Sequence, residues 1–381
     1  MALSILFLGS QMAVGGAQRV LLTQALWFHE RGYRVTVAFF YDKEHLREQW
    51  QSEYPFPVID LGMRRVGGAS GKTIGLLLKG LMRLWGLLRS ERFDIIETFT
   101  PHSNLLGLPL AFLARVPARI GSHHGKIENI PHSLERLHGR MANSRMVSSL
   151  VTVSRHVSRL ATQIEGVQPE RITLIPNGVE IPPEGTFDQQ DMQLVRREID
   201  VEEGGHLVIS VGRLTSQKGH TVLLDAIPRV LQHFPKTVFA LVGDGPLRDD
   251  LEQQGIRLGI ENAVRLLGVR DDVFRLLYVS DVFVLPSLSE GMPMALLEAM
   301  GMGVPILASN LEGIASVVEH GRHGLLIPAG EVKSLSLALV RLLEDATLCE
   351  QLAEEGKQIV LASYTLDRMC EEYKKLFLRN C

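Results

Sequence analysis

Apolar residues in this chain fall into short unbroken runs, separated by longer stretches in which they recur every three or four positions. Leu3–Leu8 is one such run, ended by Gly9-Ser10, and after Gly15-Gly16 a helical pattern extends from Ala17 to Glu30 and closes at Gly32. Val35–Phe40, Phe93–Glu97, Arg119–Ser122 and Leu150–Val153 are further strand-like runs. Strands that are apolar on both faces and alternate with helices predict a parallel sheet covered on both sides. The alternation then restarts, with strands over Leu207–Val211, Thr237–Val242, Val264–Leu266, Val282–Leu285, Pro305–Ala308 and Leu325–Ile327, and helices over Thr221–His233 and Leu247–Leu258. Between the two series, Ile175–Gly185 is dense in proline and glycine, which marks an interdomain linker. Tyr364 to Leu378 is helical in pattern. The expected fold class is α/β: two Rossmann-like, doubly wound parallel-sheet domains whose strand C-termini face a shared cleft, where ligands of such sheets bind.

Length and composition agree with this division. A chain of 381 residues has room for two or three domains at about 100–200 residues each. With 45% hydrophobic and 22% charged residues it is an ordinary globular sequence, which excludes disordered, collagenous and low-complexity classes. Residues 1–190 carry 21 Lys+Arg against 16 Asp+Glu, and residues 191–381 carry 19 against 27, so the two halves differ in sign. The net charge of −3 gives no general attraction to nucleic acid. Cys349, Cys370 and Cys381 form no CxxC pair and no even framework, which points to a reducing compartment. Leu3–Leu8 lacks a basic flank, and the apolar stretch Leu105–Val116 is broken by Pro109 and Arg115, short of the roughly 20 residues a bilayer span needs. The expected location is cytoplasmic.

The chemistry concentrates in the second series. Asp281–Ser287 reads as a strand running into a loop, and Glu290-Gly291-Met292-Pro293-Met294-Ala295-Leu296-Leu297-Glu298 follows it. Pro293 is expected to begin a helix, where its missing N–H costs nothing. The first-turn amides, from about Met292 to Ala295, then suit phosphate or sugar oxygens. Glu298 is positioned for a ribose diol and Glu290 for sugar hydroxyls. Two glutamates eight residues apart mean little alone; the strand–loop–helix string gives them weight. In Ser210–Gly219, a second strand enters a loop bearing Arg213 and Lys218, two cations suited to a diphosphate leaving group whose charge grows as its bond breaks. The chain has no Asp-x-Asp, no HExxH and no His/Cys cluster with ligand spacing. The expectation is therefore that no metal is required and that Arg213 and Lys218 neutralise the diphosphate.

Other motifs carry less. Gly15-Gly16 permits close backbone approach to an anion, but neither that loop nor Gly243–Arg248 completes GxGxxG, which disfavours a dehydrogenase. Gly67–Thr73 imitates a nucleotide-phosphate loop, but Val66 stands where the first glycine is required. His123 and His124 follow a short strand and read either as sugar contacts or as structural histidines; His102 reads as structural. Lys72–Arg92 reads as a sheet-covering helix with Lys72, Lys79 and Arg83 on a solvated basic face, or as a peripheral contact with an anionic membrane.

Taken together these residues resemble the retaining glycosyltransferases of family 4, which have the two-domain GT-B fold. The resemblance runs nearly end to end, through Gly15-Gly16, Ile175–Val179, Val211-Gly212-Arg213 with Lys218-Gly219, Val242–Pro246, Asp281–Ser287 and the Glu290/Glu298 pair. It implies an acceptor-binding domain over residues 1–181, with 364–381 returning to it as a helix, and a nucleotide-sugar-binding domain over 182–363. It implies that Arg213 and Lys218 hold the diphosphate, Glu290 the donor sugar and Glu298 the ribose. Gly291, Met292, Met294 and Ala295 supply backbone groups to the donor, and backbone groups around Val269 and Arg270 read the base. His124 contacts the donor sugar, Gly16 lies near the phosphate, and Gly15, Gln18 and His123 lie on the acceptor side. Two departures stand out: Gln18 replaces a frequent glutamate, and Glu312–Ser316 replaces a Gly-Gly-x-x-Glu stretch.

The implied reaction is metal-independent transfer of a sugar, with retention, from a UDP- or GDP-sugar to a hydroxyl of a glycan or lipid-linked acceptor. It belongs to cell-surface polysaccharide or glycolipid synthesis at the inner membrane face. The co-substrate is the nucleotide-sugar, and no nucleic acid is involved. The segments Tyr41–Val66 and His123–Met141 are expected to be acceptor-facing loops. Alternatives on the same architecture are a nucleotide-sugar 2-epimerase and a non-catalytic nucleotide-sugar-binding subunit.

Overall fold

The computed structural model describes residues 3–63, 71–125 and 131–381. The chain divides into two compact units, one comprising Met1–Gly178 and Leu366–Cys381, the other Val179–Thr365. Gly67–Ser70 of the phosphate-loop-like stretch, the Lys72 side chain and Lys126–Ile130 lie outside the described residues.

The N-terminal unit alternates β1 (Ser4–Met12), α1 (Gly16–Glu30), β2 (Arg34–Asp42), α2 (Arg47–Glu53), β3 (Val58–Asp60), α3 (Gly71–Glu91), β4 (Ile95–Thr98), α4 (Pro101–Leu113), β5 (Ala118–His123), α5 (His132–Ala142), β6 (Ser149–Thr152), α6 (Arg155–Gln163) and β7 (Ile172–Leu174). Its described strands form one parallel sheet of seven in the order β3-β2-β1-β4-β5-β6-β7. Ile5, Leu6, Phe7 and Leu8 of β1 are all fully buried, because alternate side chains enter cores on opposite faces. Leu6 and Leu8 join Leu84 and Leu88 of α3 and Leu108 and Ala111 of α4. Phe7 meets Phe28 of α1 and Phe99 at 6.1 Å between ring centroids.

The C-terminal unit runs through α7 (Gln189–Glu198), β8 (Leu207–Val211), α8 (His220–His233), β9 (Val238–Val242), α9 (Arg248–Leu258), β10 (Val264–Gly268), α10 (Val273–Tyr278), β11 (Val282–Leu285), α11 (Met294–Gly301), β12 (Ile306–Ser309), α12 (Glu312–Ala315), β13 (Leu325–Ile327), α13 (Val332–Glu344) and α14 (Ala346–Ser363). Its sheet is parallel, in the order β10-β9-β8-β11-β12-β13. The last helix, α15 (Leu366–Asn380), belongs to the N-terminal unit. It is held there by Asp367, which accepts from Trp27 Nε1 (2.6 Å) and from Arg31 (2.9 Å), and by Phe377 against Phe28 at 5.3 Å.

Each sheet reverses its strand order once, between β1 and β4 in the first and between β8 and β11 in the second. Helices leave to opposite sides at such a point, and a crevice opens at the strand C-termini.

Several expectations need correction. The first strand does not stop at Gly9-Ser10 but runs to Met12, paired along its length with β2. The segments Tyr41–Val66 and His123–Met141 are not simply loops: the first contains α2 and β3, the second α5. The helix after β11 begins at Met294, one residue late, because Pro293 holds an extended ψ of 124° and caps the helix from outside.

Candidate active site

The second reversal point carries the loops singled out in the sequence. After β8 the chain passes Gly212 and the exposed Arg213, makes a short 3-10 turn over Ser216–Lys218, and enters α8 through Gly219 at φ 66°. A side chain at Gly219 would be strained at that φ and would collide with the Pro286 carbonyl oxygen, so glycine is what lets the β8 loop lie against the end of β11.

Two hydrogen bonds and an ion pair then lace the two loops together, and a further hydrogen bond within the second loop orients the ion pair's carboxylate. Leu288 N donates to the Gln217 carbonyl (2.8 Å), and Gln217 Nε2 donates to the Ser289 carbonyl (2.8 Å). Lys218 Nζ donates to Glu290 Oε1 at 2.7 Å, and Ser287 Oγ donates to the same oxygen at 2.7 Å. The Lys218 and Glu290 side chains are 19% and 7% exposed, and the lysine stem lies beside Gly212 at the end of β8. A pair this enclosed is oriented by its partners and can redirect its charge when an anion enters. The backbone of the Glu290 loop is backed by α12, where any side chain at Gly313 would overlap the Glu290 carbonyl oxygen. The Glu312–Ser316 departure thus still supplies a glycine at the point of closest approach.

Behind this loop α11 begins with its first-turn amides, from Met294 to Leu296, facing away from any partner in the preceding turn of helix. Gly291, Met294 and Ala295 are half-buried, while Met292 and Glu298 are buried at 7% and 3% exposure. Val269 is exposed after β10. Arg270 is committed elsewhere: its guanidinium binds both carboxylate oxygens of Asp272 at 2.7 Å and Glu198 at 2.7 Å, and these bonds raise its already high pKa. Only its backbone is available to a ligand.

Sequence reasoning passed over His220, the first residue of α8. It is 2% exposed, its Nδ1 has no hydrogen-bond partner among the described residues, and burial followed by the charge of Lys218 pushes its pKa down to about 4. It is therefore neutral near pH 7 and leaves the adjacent lysine as the local cation. The KG-H sequence was visible, but nothing in it signals burial.

The remaining site candidates belong to the N-terminal unit. Gly15 caps α1 and Gly16 is its first residue. Gln18 folds back over Gly15, its Nε2 donating to the Gln11 carbonyl at 3.3 Å. A carboxylate does reach this loop, but from Glu44, which accepts from Val14 N at 2.9 Å. At the end of β5, His123 is 2% exposed and uses both ring nitrogens: Nε2 pairs with Glu165 at 2.9 Å and Nδ1 accepts from Gly125 N at 3.3 Å. Glu165 is also bound by His138 Nδ1 at 2.7 Å. Burial alone would raise its pKa, yet the bonds from the two histidines hold it at about 2. His102 lines a small cavity beside this cluster. His124 stacks on Phe99 (5.6 Å, 15°), and burial, reinforced by His123, pushes its pKa down to about 4. Its Nε2 is buried without a partner among the described residues.

Comparison with known proteins gives the family. Residues 205–345 match the family described as "Glycosyl transferases group 1", and residues 14–181 match "Glycosyltransferase Family 4". The chain is 28% identical over 309 residues, 79% of each chain, to the Escherichia coli UDP-Gal:alpha-D-GlcNAc-diphosphoundecaprenol alpha-1,3-galactosyltransferase. It is 27% identical over 231 residues, 60% of this chain and 59% of the other, to the Bacillus anthracis N-acetyl-alpha-D-glucosaminyl L-malate synthase. The crystal structure of Anabaena Alr3699/HepE in complex with UDP and glucose superimposes with a TM-score of 0.86 at 25% identity, covering 99% of this chain and 100% of that one. The chain belongs to the family 4, group 1 glycosyltransferases and has the GT-B fold. It is a glycosyltransferase, similar to an enzyme named for a UDP-Gal donor and to others named for lipopolysaccharide core and amylovoran biosynthesis.

Proposed function

We propose that the protein is a retaining, metal-independent glycosyltransferase whose C-terminal unit binds a nucleotide sugar at the β8/β11 reversal point. The observation that carries this reading is the Lys218–Glu290 pair, which joins the two loops there beside the start of α11. UDP is favoured as the nucleotide because it is in the names of both the E. coli galactosyltransferase and the HepE complex; GDP is the alternative. The acceptor is a hydroxyl on a glycan or lipid-linked glycan, bound by the N-terminal unit. The enzyme works on the cytoplasmic side, in cell-surface polysaccharide or glycolipid assembly.

In this reading the diphosphate lies against Arg213, Lys218, the backbone of Gly291 and Met292, and the first amides of α11, Met294 and Ala295. Glu298 takes the ribose hydroxyls, and the backbone at Val269 and Arg270 takes the base. Glu290, released from Lys218 as the diphosphate claims the lysine, binds sugar hydroxyls. The neutral, unpartnered Nε2 of His124 supports a hydrogen bond to the donor sugar, with Gly16 near the phosphate. His123, locked by Glu165, fixes the turn that presents His124, while Gly15 and Gln18 line the acceptor side.

The C1–O bond to the diphosphate breaks as the acceptor oxygen approaches from the same face. A diphosphate oxygen takes the acceptor proton. The protein contributes position and the two cations that absorb the released charge. A double-displacement alternative needs a carboxylate nucleophile free to attack the anomeric carbon; in this reading Glu290 is held by Ser287 and by the sugar hydroxyls it binds.

The test is product analysis with a UDP- or GDP-sugar donor in the presence of EDTA. Transfer should persist after chelation, and proton NMR should show the donor's anomeric configuration in the product. Complete loss restored by Mg²⁺, or an inverted product, would overturn the reading. Conversion of the donor sugar without acceptor would favour an epimerase.

A further inference from the structure

Helix α3 (Gly71–Glu91) is apolar on two faces, and only one of them is covered. Leu84 and Leu88 are buried in the core, with Leu77, Leu81 and Leu87 packed against it. On another face Ile74, Leu78, Met82 and Trp85 are 59, 54, 66 and 38% exposed. Their spacing of four, four and three residues aligns them in one strip within an arc of about 80° at 3.6 residues per turn. Of the basic face expected from the sequence, Lys79 is exposed on the flank of this strip and Arg83 is exposed about 100° beyond its edge, while the Lys72 side chain lies outside the described residues. The Arg83 guanidinium reaches back to the Leu61 carbonyl at 3.1 Å, and Arg89 sits over the Trp85 ring at 5.8 Å. Between Ile74 and Glu91 three cations face a single acid. A surface helix that serves only to cover a sheet has a polar outer face, so four aligned large apolar side chains on this outer face require another explanation.

We propose that α3 lies flat on an anionic lipid bilayer. Ile74, Leu78, Met82 and Trp85 enter the headgroup–acyl boundary, and Lys79 and Arg89 meet lipid phosphates. No helix among the described residues is long and apolar enough to cross a membrane, so the contact is interfacial. The charge decides the occupant. Pairing the strip with its own copy would bring like cations together, whereas an anionic surface attracts each of them, at about 1 kcal/mol per basic residue. Trp85 and the basic residues are the types that sit at such a boundary. The surface lies on the N-terminal unit, which is where a lipid-linked acceptor is proposed to bind. Docking is read without any sugar nucleotide, so its failure leaves the donor assignment untouched.

The test is co-sedimentation of the full chain with vesicles of phosphatidylcholine alone and of phosphatidylcholine with an equal part of phosphatidylglycerol. The protein should pellet with the anionic vesicles and far less with the neutral ones. Trp27 and Trp50 are buried, so a blue shift of tryptophan emission on vesicle addition reports Trp85. The double variant Leu78→Glu, Met82→Glu should bind at least tenfold more weakly with unchanged melting, and Lys79→Glu with Arg89→Glu should abolish the preference for the anionic vesicles. The wild-type emission shift tests the idea without any variant. No pelleting and no shift, undiminished binding by the double variant, or a dimer held by the strip that ignores vesicles would each overturn the proposal.

Discussion

Glu290→Ala is expected to lower turnover by about two to three orders of magnitude, and Lys218→Ala by a similar factor, the loss typical when one preorganised electrostatic contact to a developing charge is removed. The two side chains form one pair with Ser287, so their effects should not add: the double variant should be little worse than either single one. Stability should change much less. The pair still touches solvent through the lysine, and losing it should cost about 1–3 kcal/mol, small enough to leave the protein folded at room temperature. Glu290→Gln keeps the shape and an acceptor for Ser287 but not the charge, and should melt near the wild type while remaining slow. Steady-state kinetics with the preferred donor, alongside thermal melting, separates the two effects. Near-normal transfer by folded Glu290→Ala and Lys218→Ala would remove these residues from the chemistry.

The second large effect lies in the N-terminal unit. Glu97 on β4 is fully buried, accepting from Gln24 Nε2 (2.7 Å) and Ser122 Oγ (2.8 Å) beneath Tyr373 of α15. Burial raises its pKa to about 8, against the lowering effect of the bonds from Ser122, Tyr373 and Gln24. A carboxyl whose pKa is higher folded than unfolded contributes stability that is complete below the unfolded value and is lost as pH rises through the folded one. Stability should therefore fall between about pH 4.5 and 8, by ~1.4 kcal/mol for each pH unit of that window. His124 and His220, with folded pKa values pushed down to about 4, act in the opposite sense and add stability as pH rises to about 6.5. Burial also raises the thiols of Cys349, Cys370 and Cys381, whose unfolded forms ionise above about pH 8, so the clean window is pH 7 to 8, where Glu97 should remove about 1 kcal/mol. Denaturant unfolding across that range should show the decline in the wild type and none in Glu97→Gln, which mimics the neutral acid. An equal decline in both proteins would contradict the assignment.

What could be read in advance follows from what each element owes to local sequence. Strands β8 and β11 are mainly apolar and buried in the middle of a sheet, and the three-residue edge strand β13 is wholly apolar; the pattern located all three to the residue. Strands β3 and β7 are three-residue edge strands, each with a polar residue and less fully buried, whose pairing is decided by the neighbour rather than by their own composition. Helices α5 and α7 are polar, with few apolar positions to reveal a period, and α7 depends on the capping box of Asp188 and Asp191. The motifs placed Arg213, Lys218 and Glu290 in loops at strand ends and Glu298 in the helix that follows, because local sequence order decides such positions. They did not reveal that Lys218 and Glu290 touch, since 72 residues separate them. Glu165 and Glu97 were invisible for the same reason: each is a single acid whose partners arrive from other strands and helices. The exposed strip of α3 was hidden by the helix's second apolar face, which merges with the first when hydrophobic positions are simply counted.

Thermal stabilisation by UDP, GDP and ADP will identify the preferred nucleotide, and a crystal structure with that nucleoside diphosphate bound is the decisive measurement. The diphosphate should lie within hydrogen-bond distance of Arg213, Lys218 and the amides that open α11, with the ribose on Glu298. A nucleotide bound away from the ends of β8 and β11, or a diphosphate touching neither cation, would contradict the central assignment.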